Sequence, residues 1–534
     1  MDAMIILSVV MGGFIGMFLY LYNLWLLKPN RLRSKLQSQG VKGPSPSFLY
    51  GNVPEMKRIL LDQLMIAGRD HRRHRDGDDV AHDWPANVFP HILQWQKDYG
   101  PVFMYSSGNV QILSVTDPEM VKEMNLCTSL SLGKPSFLSK QIGPLLGLGI
   151  LSSSGTLWAH QRKVIAPELY LEKVKQDHYF MQLFSELKGM VHLMVDSITE
   201  MLKSWERKTI IGGGTADIRV DEYFMRLSAN IISRACFGSN YTRGEEISLQ
   251  LRTLMKIMSK VPLGVPGSRF LPSKNNRKIW RLEKEIHSMI VEVVKARTET
   301  AQEKDLLQMI LDAAKSSGDD GGLPVDISPN KFIVDSCTNM YLAGHDSNGL
   351  SASWCLMLLA MYPEWQARVR SEVFEICGEE LPDADMLRRM KMLTMVIQET
   401  MRLYPPVAYV VRETLEDMNF RGIQIPKGIN LQIPIPLLHH NPDLWGPDVH
   451  KFKPERFAQG TLGACKNPQA YMPFGVGPHT CAGQHFGLLE LKVTLSLILS
   501  RFSFSVAPEY RHSPMLRMVL IEPEHGVTIR VRKL

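Results

Sequence analysis

Residues 5–27 form an unbroken apolar run without a charge, in which Ser8, Asn23 and two tyrosine hydroxyls are the only polar groups. A helix of that length crosses a hydrocarbon layer of about 30 Å, and it lacks the polar face that a helix in water keeps. A cleaved secretory leader is the competing reading. Such a leader carries basic residues ahead of a shorter apolar core and a small-residue cleavage site, whereas here Asp2 precedes the run and Lys28 follows it. The pattern predicts an uncleaved single-pass membrane anchor over residues 1–27. Lys28, Arg31, Arg33 and Lys35 come next, an excess of positive charge that predicts a cytoplasmic position for that side. Gly40, Gly43, Pro44 and Pro46 then mix free and fixed backbone angles, so residues 28–52 read as a basic, proline-rich hinge ahead of a body over 53–534.

Within the body, apolar residues recur mostly at helical spacing, for example over residues 181–205 and 280–294. Residues 486–499 read as another amphipathic helix. Ser328-Pro329 supplies an N-cap and a first-position proline, and the apolar run that follows ends at Met361 before Pro363; this predicts one long helix through the core. Short strands are expected near 102–115 and 420–435, the latter around a turn at Ile425-Pro426-Lys427-Gly428. The fold class is mainly α with minor β. Two polar stretches, 69–83 and 315–322, read as surface loops. The first contains His71, His74 and His82, which lie among Arg and Asp without ordered spacing and so make a poor metal site.

Composition changes this picture little. A chain of 534 residues, 45% hydrophobic and 22% charged, can bury a large core. Its seven cysteines are odd in number and lack CxxC pairs, which argues against a disulfide framework or a Cys-rich zinc site. A net charge of +7 spread along the chain gives no case for nucleic-acid binding; it suits an anionic membrane or an acidic protein partner.

One loop stands apart chemically. Phe474-Gly475-Val476-Gly477-Pro478-His479-Thr480-Cys481-Ala482-Gly483 sets a cysteine among three glycines just ahead of a helix. Glycines let backbone N–H groups approach a sulfur, and those donors with a helix N-terminus stabilise a thiolate. The pattern Phe474-x-x-Gly477-x-x-x-Cys481-x-Gly483 resembles the haem-ligand loop of the cytochrome P-450 family, and the likeness extends over nearly the whole chain. It implies the cytochrome P-450 fold, a haem cofactor and Cys481 as the axial ligand of its iron. His479 departs from the pattern: the family usually has an arginine there, reaching a haem propionate, so that contact is expected to be weaker or pH-dependent.

Other motifs take their meaning from this likeness. Trp158 and Arg162, at i and i+4, read by spacing alone as a half-buried ring beside a surface cation; the family pattern WxxxR places such a pair against a propionate. Arg412, six residues past Pro406, resembles a further propionate-binding arginine. Glu399 and Arg402 have ion-pair spacing on a helix, commonplace by itself. The family implies that they pair with Arg456 of Pro454-Glu455-Arg456-Phe457 in a buried structural network.

Ala343-Gly344-His345-Asp346-Ser347-Asn348 interrupts an apolar helix with polar groups whose burial is costly. It is similar to the family's oxygen-binding groove, which implies that Asp346 and Ser347 relay protons toward oxygen. Ser347 and Asn348 stand where two threonines are usual; serine keeps the hydroxyl and loses the methyl that stiffens its rotamer, so looser coupling is expected.

The implied activity is a haem-thiolate monooxygenase at the endoplasmic reticulum membrane, its catalytic domain facing the cytosol, using dioxygen. The chain has no Gly-x-Gly-x-x-Gly after a strand, so electrons are expected from NADPH-cytochrome reductase. The runs at residues 43–52, 99–103 and 132–135 resemble a plant branch that oxidises gibberellins and related diterpenoid or triterpenoid acids. Hydroxylation or epoxidation of a gibberellin-like acid is the expectation, with a triterpenoid or fatty acid as alternatives and a pocket between Lys134 and Leu148 and on the helix near Tyr341. An oxygen-independent isomerase or dehydratase of lipid hydroperoxides would dispense with the groove hydroxyl, and Ser347 speaks against it. A non-catalytic haem-binding membrane protein would not need Asp346 and Ser347 at all.

Overall fold

The computed structural model describes residues 2–70, 82–169, 177–237, 241–258, 270–299, 306–316 and 327–534. The apolar N-terminus is helical over Asp2–Tyr22, widens to a π-turn at Asn23–Leu27 and continues as Lys28–Gln37. Pro29 accounts for the wide turn, because proline brings no N–H to the bond a regular helix would make there. Side chains such as Ile5, Phe14 and Phe18 are exposed, and the helix is long and apolar enough to cross a membrane.

The basic residues that follow are helical and joined to the body. Leu36 is fully buried, the Arg33 guanidinium donates to the Pro44 carbonyl (2.5 Å) and the Gly43 carbonyl (3.2 Å), and Met104 N–H donates to the Lys42 carbonyl. The chain turns at Gly40, whose φ of 87° suits glycine.

Helices dominate. The helix Pro329–Met361 runs through the core, capped by the Ser328 hydroxyl accepting from Lys331 N–H, as the sequence pattern predicts. It packs most extensively against Val220–Phe237, where Gly344 leaves room for Ile232, and also against Gln484–Arg501. Five strands form a sheet in the order Val102–Ser107, Val110–Val115, Asn430–Pro434, Tyr409–Thr414 and Leu132–Gly133, parallel only between the second and third. The turn after Ile425 joins two sheets: Ile423–Ile425 pairs with Met418–Phe420, while Asn430–Pro434 belongs to the five-stranded sheet.

Two expectations need correction. Residues 486–499 are not amphipathic in place: the helix Gln484–Arg501 is buried almost all round, and its polar residues Glu490, Thr494 and Ser496 lie inside the core. The stretch 69–83 is not a surface loop at its ends either. Arg69 and Asp70 close the helix Val53–Asp70, and His82 is buried with its ring nitrogens 2.6 Å from the Tyr404 hydroxyl and 3.0 Å from that of Tyr362. His71, His74 and residues 317–322 lie outside the described residues. Among the described residues no group of His, Cys, Asp and Glu is arranged to hold a metal ion.

Candidate functional site

The loop that carries Cys481 is built from two left-handed glycines. Gly475 (φ 70°) and Gly477 (φ 72°) reverse the chain, and a β-carbon on Gly477 would lie 1.8 Å from the Asn125 carbonyl oxygen, so the loop presses on the helix Pro118–Leu126. Cys481 N–H donates to the Phe474 carbonyl (2.7 Å) and Thr480 N–H to that of Gly477 (3.0 Å), which fixes the loop across its width. The helix Gln484–Arg501 starts just after the cysteine, with Gly483 as its N-cap.

The Cys481 side chain is reachable by solvent, yet burial pushes its thiol above the ordinary value, with the Gly483 backbone, Arg162 and Lys134 acting in the other direction. Accessibility with desolvation is the signature of a wall in an enclosed cleft. Three cations and an imidazole surround it. Arg412 projects from the strand Tyr409–Thr414, and burial lowers its guanidinium to about 10. Lys134 is held well below the ordinary lysine value by burial, then by Arg412 and Arg162, opposed by the Cys481 sulfur. The His479 ring lies 4.1 Å from that of Trp158, and burial with Arg412, Lys134 and Arg162 pushes it down to about 3. Its buried Nδ1 has no hydrogen-bond partner among the described residues.

The structure therefore brings together Cys481, Phe474, His479, Trp158, Arg162 and Arg412, and it adds Lys134. The sequence puts Lys134 at the edge of an expected substrate pocket; its cationic role has a weak signal only, the short strand Leu132–Gly133 that pairs beside Arg412. Half-buried cations that repel one another, beside an imidazole with an idle nitrogen, fit a dianionic group, as the two propionates of a haem would be. The donor chemistry of the loop fits its iron.

On the helix Pro329–Met361, Ala343 is exposed between the half-buried Leu342 and Gly344, and Ser347 is partly exposed with its hydroxyl donating to the Ala343 carbonyl (2.9 Å). Asp346 points elsewhere. It is buried, with Oδ1 2.9 Å from His345 Nε2 and 3.9 Å from Arg252 Nε. Burial alone would raise its carboxyl, but His345 and Arg252 outweigh that and hold it below the usual value. Asn348, one position on, donates to Glu490 Oε2 (2.7 Å), and Ser228 donates to Oε1 (2.5 Å). Gly487 lies against the Asn348 amide, so the helix after Cys481 crosses the groove helix there. Tyr341 faces away from the cleft, its hydroxyl directed toward Gly244 and Ser233.

Glu399, Arg402 and Arg456 meet as expected. Arg402 donates twice to the Glu399 carboxylate (2.7 and 2.8 Å) and once to the His439 carbonyl, and Arg456 lies 3.4 Å from Glu399 Oε1.

Comparison with known proteins adds an independent line. The cytochrome P450 family model matches residues 82–529. Cytochrome P450 714C2 of Oryza sativa subsp. japonica is 49% identical over 97% of this chain and 96% of its own. Cytochrome P450 714B2 of the same plant is 45% identical over 96% of this chain and 94% of its own, and cytochrome P450 714A2 of Arabidopsis thaliana is 42% identical over 98% and 97%.

Proposed function

Because this chain belongs to the cytochrome P450 family, and is a haem-thiolate monooxygenase, we propose that it inserts one oxygen atom into an apolar terpenoid acid, a gibberellin or related diterpenoid, at the endoplasmic reticulum membrane. Electrons come from NADPH-cytochrome reductase, and the catalytic body faces the cytosol. The observation that carries the site assignment is the set of mutually repelling cations around Cys481. The plant origin of the relatives and the apolar N-terminal helix support the substrate class and the membrane.

In this reading the Cys481 sulfur, steadied by the Gly483 N–H, would hold the haem iron. Arg162, Arg412 and Lys134 would receive the propionates, with Trp158 and His479 as further donors and Phe474 supporting the loop. The haem supplies oxygen activation, which thiolate donation favours. Ser347 turns its hydroxyl from the Ala343 carbonyl to pass a proton into the cleft. Asp346, buried one residue before Ser347 and kept ionised by His345 and Arg252, would reach it with protons only through water.

The test is to incubate membranes holding the protein and its reductase with gibberellins, kaurenoid acids, triterpenes and fatty acids, and to seek a gain of one oxygen by mass spectrometry. Products from diterpenoid acids alone are expected. Turnover confined to triterpenes or fatty acids overturns the substrate assignment. For the ligand, Cys481→Ser should abolish the red-shifted Soret band of the reduced, carbon-monoxide-treated protein; an unchanged band overturns that assignment.

A further inference from the structure

Residues 147–153 connect the short helix Gly143–Leu146 to the helix Gly155–Leu169 that bears Trp158 and Arg162. Side chains from two other places satisfy this loop's backbone. Leu148 N–H donates to Asp335 Oδ2 (2.8 Å) and Leu151 N–H to Asn339 Oδ1 (2.9 Å), while Asn339 Nδ2 donates back to the Leu146 carbonyl (2.6 Å). Gln161 Nε2 donates to the Leu148 carbonyl (2.7 Å), and the Ser153 hydroxyl donates to Gln161 Oε1 (2.6 Å). Asp335 and Asn339 stand one turn apart on the groove helix, both buried, and Asn339 Nδ2 also bonds the Asp335 carbonyl (2.8 Å).

The sequence is shaped to this contact. A β-carbon on Gly147 would lie 2.1 Å from Asp335 Oδ1, and one on Gly149 would lie 2.3 Å from the Asn339 side chain. Glycine at both positions lets the backbone seat itself on the two polar groups. Asn339 is one turn before the exposed Ala343, and Gln161 adjoins Arg162. The loop is therefore pinned to the groove helix and to the cation-bearing helix at once.

The geometry points to Asp335 and Asn339 as positioning residues that set substrate size: they hold the segment around residues 142–151 as a rigid wall of the substrate space without touching substrate. This rests on the reading that the cleft over Cys481 takes an apolar substrate, and its test does not need that substrate's identity. The probes are a bulky N-substituted azole, clotrimazole, which is large enough to pack on the ordered wall and loses that contact when it loosens, and bare imidazole, which does not reach it. Both are titrated by Soret shift into the full-length holoprotein, and amide hydrogen exchange at Leu148 and Leu151 is followed alongside.

In Asn339→Leu, which keeps the volume and removes the bonds, exchange at both amides should quicken at least tenfold. Clotrimazole affinity should fall about tenfold while imidazole affinity and the carbon-monoxide band stay unchanged. Asp335→Asn, which keeps an acceptor for Leu148 N–H, should stay near wild type in all readouts. Unchanged exchange overturns the clamp. Faster exchange with unchanged clotrimazole affinity overturns the wall, and equal weakening of both azoles shows a disturbed haem and overturns it too. Should Asn339→Leu fail to give the band, Gln161→Leu loosens the loop from the other helix and decides by the same criteria. A failure of every terpenoid in the product assay would leave these outcomes intact.

Discussion

Two regions bury arginine in this molecule and treat it in opposite ways. Around Glu399 the charge is closed: Arg402 is fully buried, yet its guanidinium meets both carboxylate oxygens and the His439 and Lys451 carbonyls, and Arg456 adds Asp448 and the Trp445 carbonyl. Around Cys481 the charge is open: Lys134 lies in the field of Arg412 and Arg162, and both Arg412 and Lys134 fall below their ordinary values. A buried cation that its own chain neutralises is part of the fold. Two cations held below their ordinary values, as Arg412 and Lys134 are, suit a ligand of opposite sign.

The largest effect should come from opening the closed region. Glu399→Ala strands the buried Arg402 guanidinium and leaves Arg456 with Asp448, so a loss of about 3–5 kcal/mol of stability is expected, a large share of the margin that holds a typical protein folded. The yield and thermal midpoint of the haem-loaded protein measure it. A loss below about 1 kcal/mol would mean that the network is no tighter than a surface pair, and the contrast between the regions would collapse.

Glu490 shows a third solution, a buried charge avoided by keeping its proton. With Ser228 and Asn348 as its partners among the described residues, burial raises its carboxyl to about 7. The folded state then binds a proton more tightly than the unfolded one. The associated stability is fully present below the ordinary carboxyl value near 4.5, is lost as pH rises from there to about 7, and does not change further above it. Glu490→Gln removes this dependence. Its stability relative to wild type should climb by about 3 kcal/mol across that window and stay level beyond pH 7, as read by chemical denaturation at several pH values. A flat difference would show that Glu490 is ionised in the fold and that some cation serves it.

What the sequence allowed and concealed follows the same division. Local patterns were readable: the Ser328 cap and Pro363 stop bracket the helix Pro329–Met361, and the spacing of Glu399 with Arg402 and of Trp158 with Arg162 survives in place. Lys134 was not readable as part of the cation cluster, because a lone lysine before a proline has no pattern and reaches Arg412 only through the sheet. Glu490 was hidden for another reason. Polar residues at helical intervals suggest a wet face, and here neighbouring helices cover that face and bond to it. His82 was lost in a polar stretch, although it sits inside an aromatic cluster with Tyr404 and His512.

The open region should respond in its grip on haem and hardly at all in its fold. Arg412→Leu removes a cation whose burial is costly, so the thermal midpoint should stay near wild type, whereas haem transfer to an apomyoglobin acceptor should quicken at least tenfold, about 1.4 kcal/mol. A large fall in the midpoint with unchanged haem transfer would place Arg412 with Arg402 as a structural residue.

The smallest effect is expected from restoring the arginine that the family usually has at position 479. His479→Arg adds a fourth cation beside Arg412, Arg162 and Lys134. Before haem arrives that charge adds to the repulsion; once the propionates are in place it gains from them. The new side chain can also stack on Trp158, whose ring already lies 4.1 Å from the imidazole. These contributions oppose one another, so haem transfer should change by less than about threefold, roughly 0.7 kcal/mol. A tenfold slower transfer would show that three cations leave the propionates underbalanced, and that the open region is less complete than the closed one.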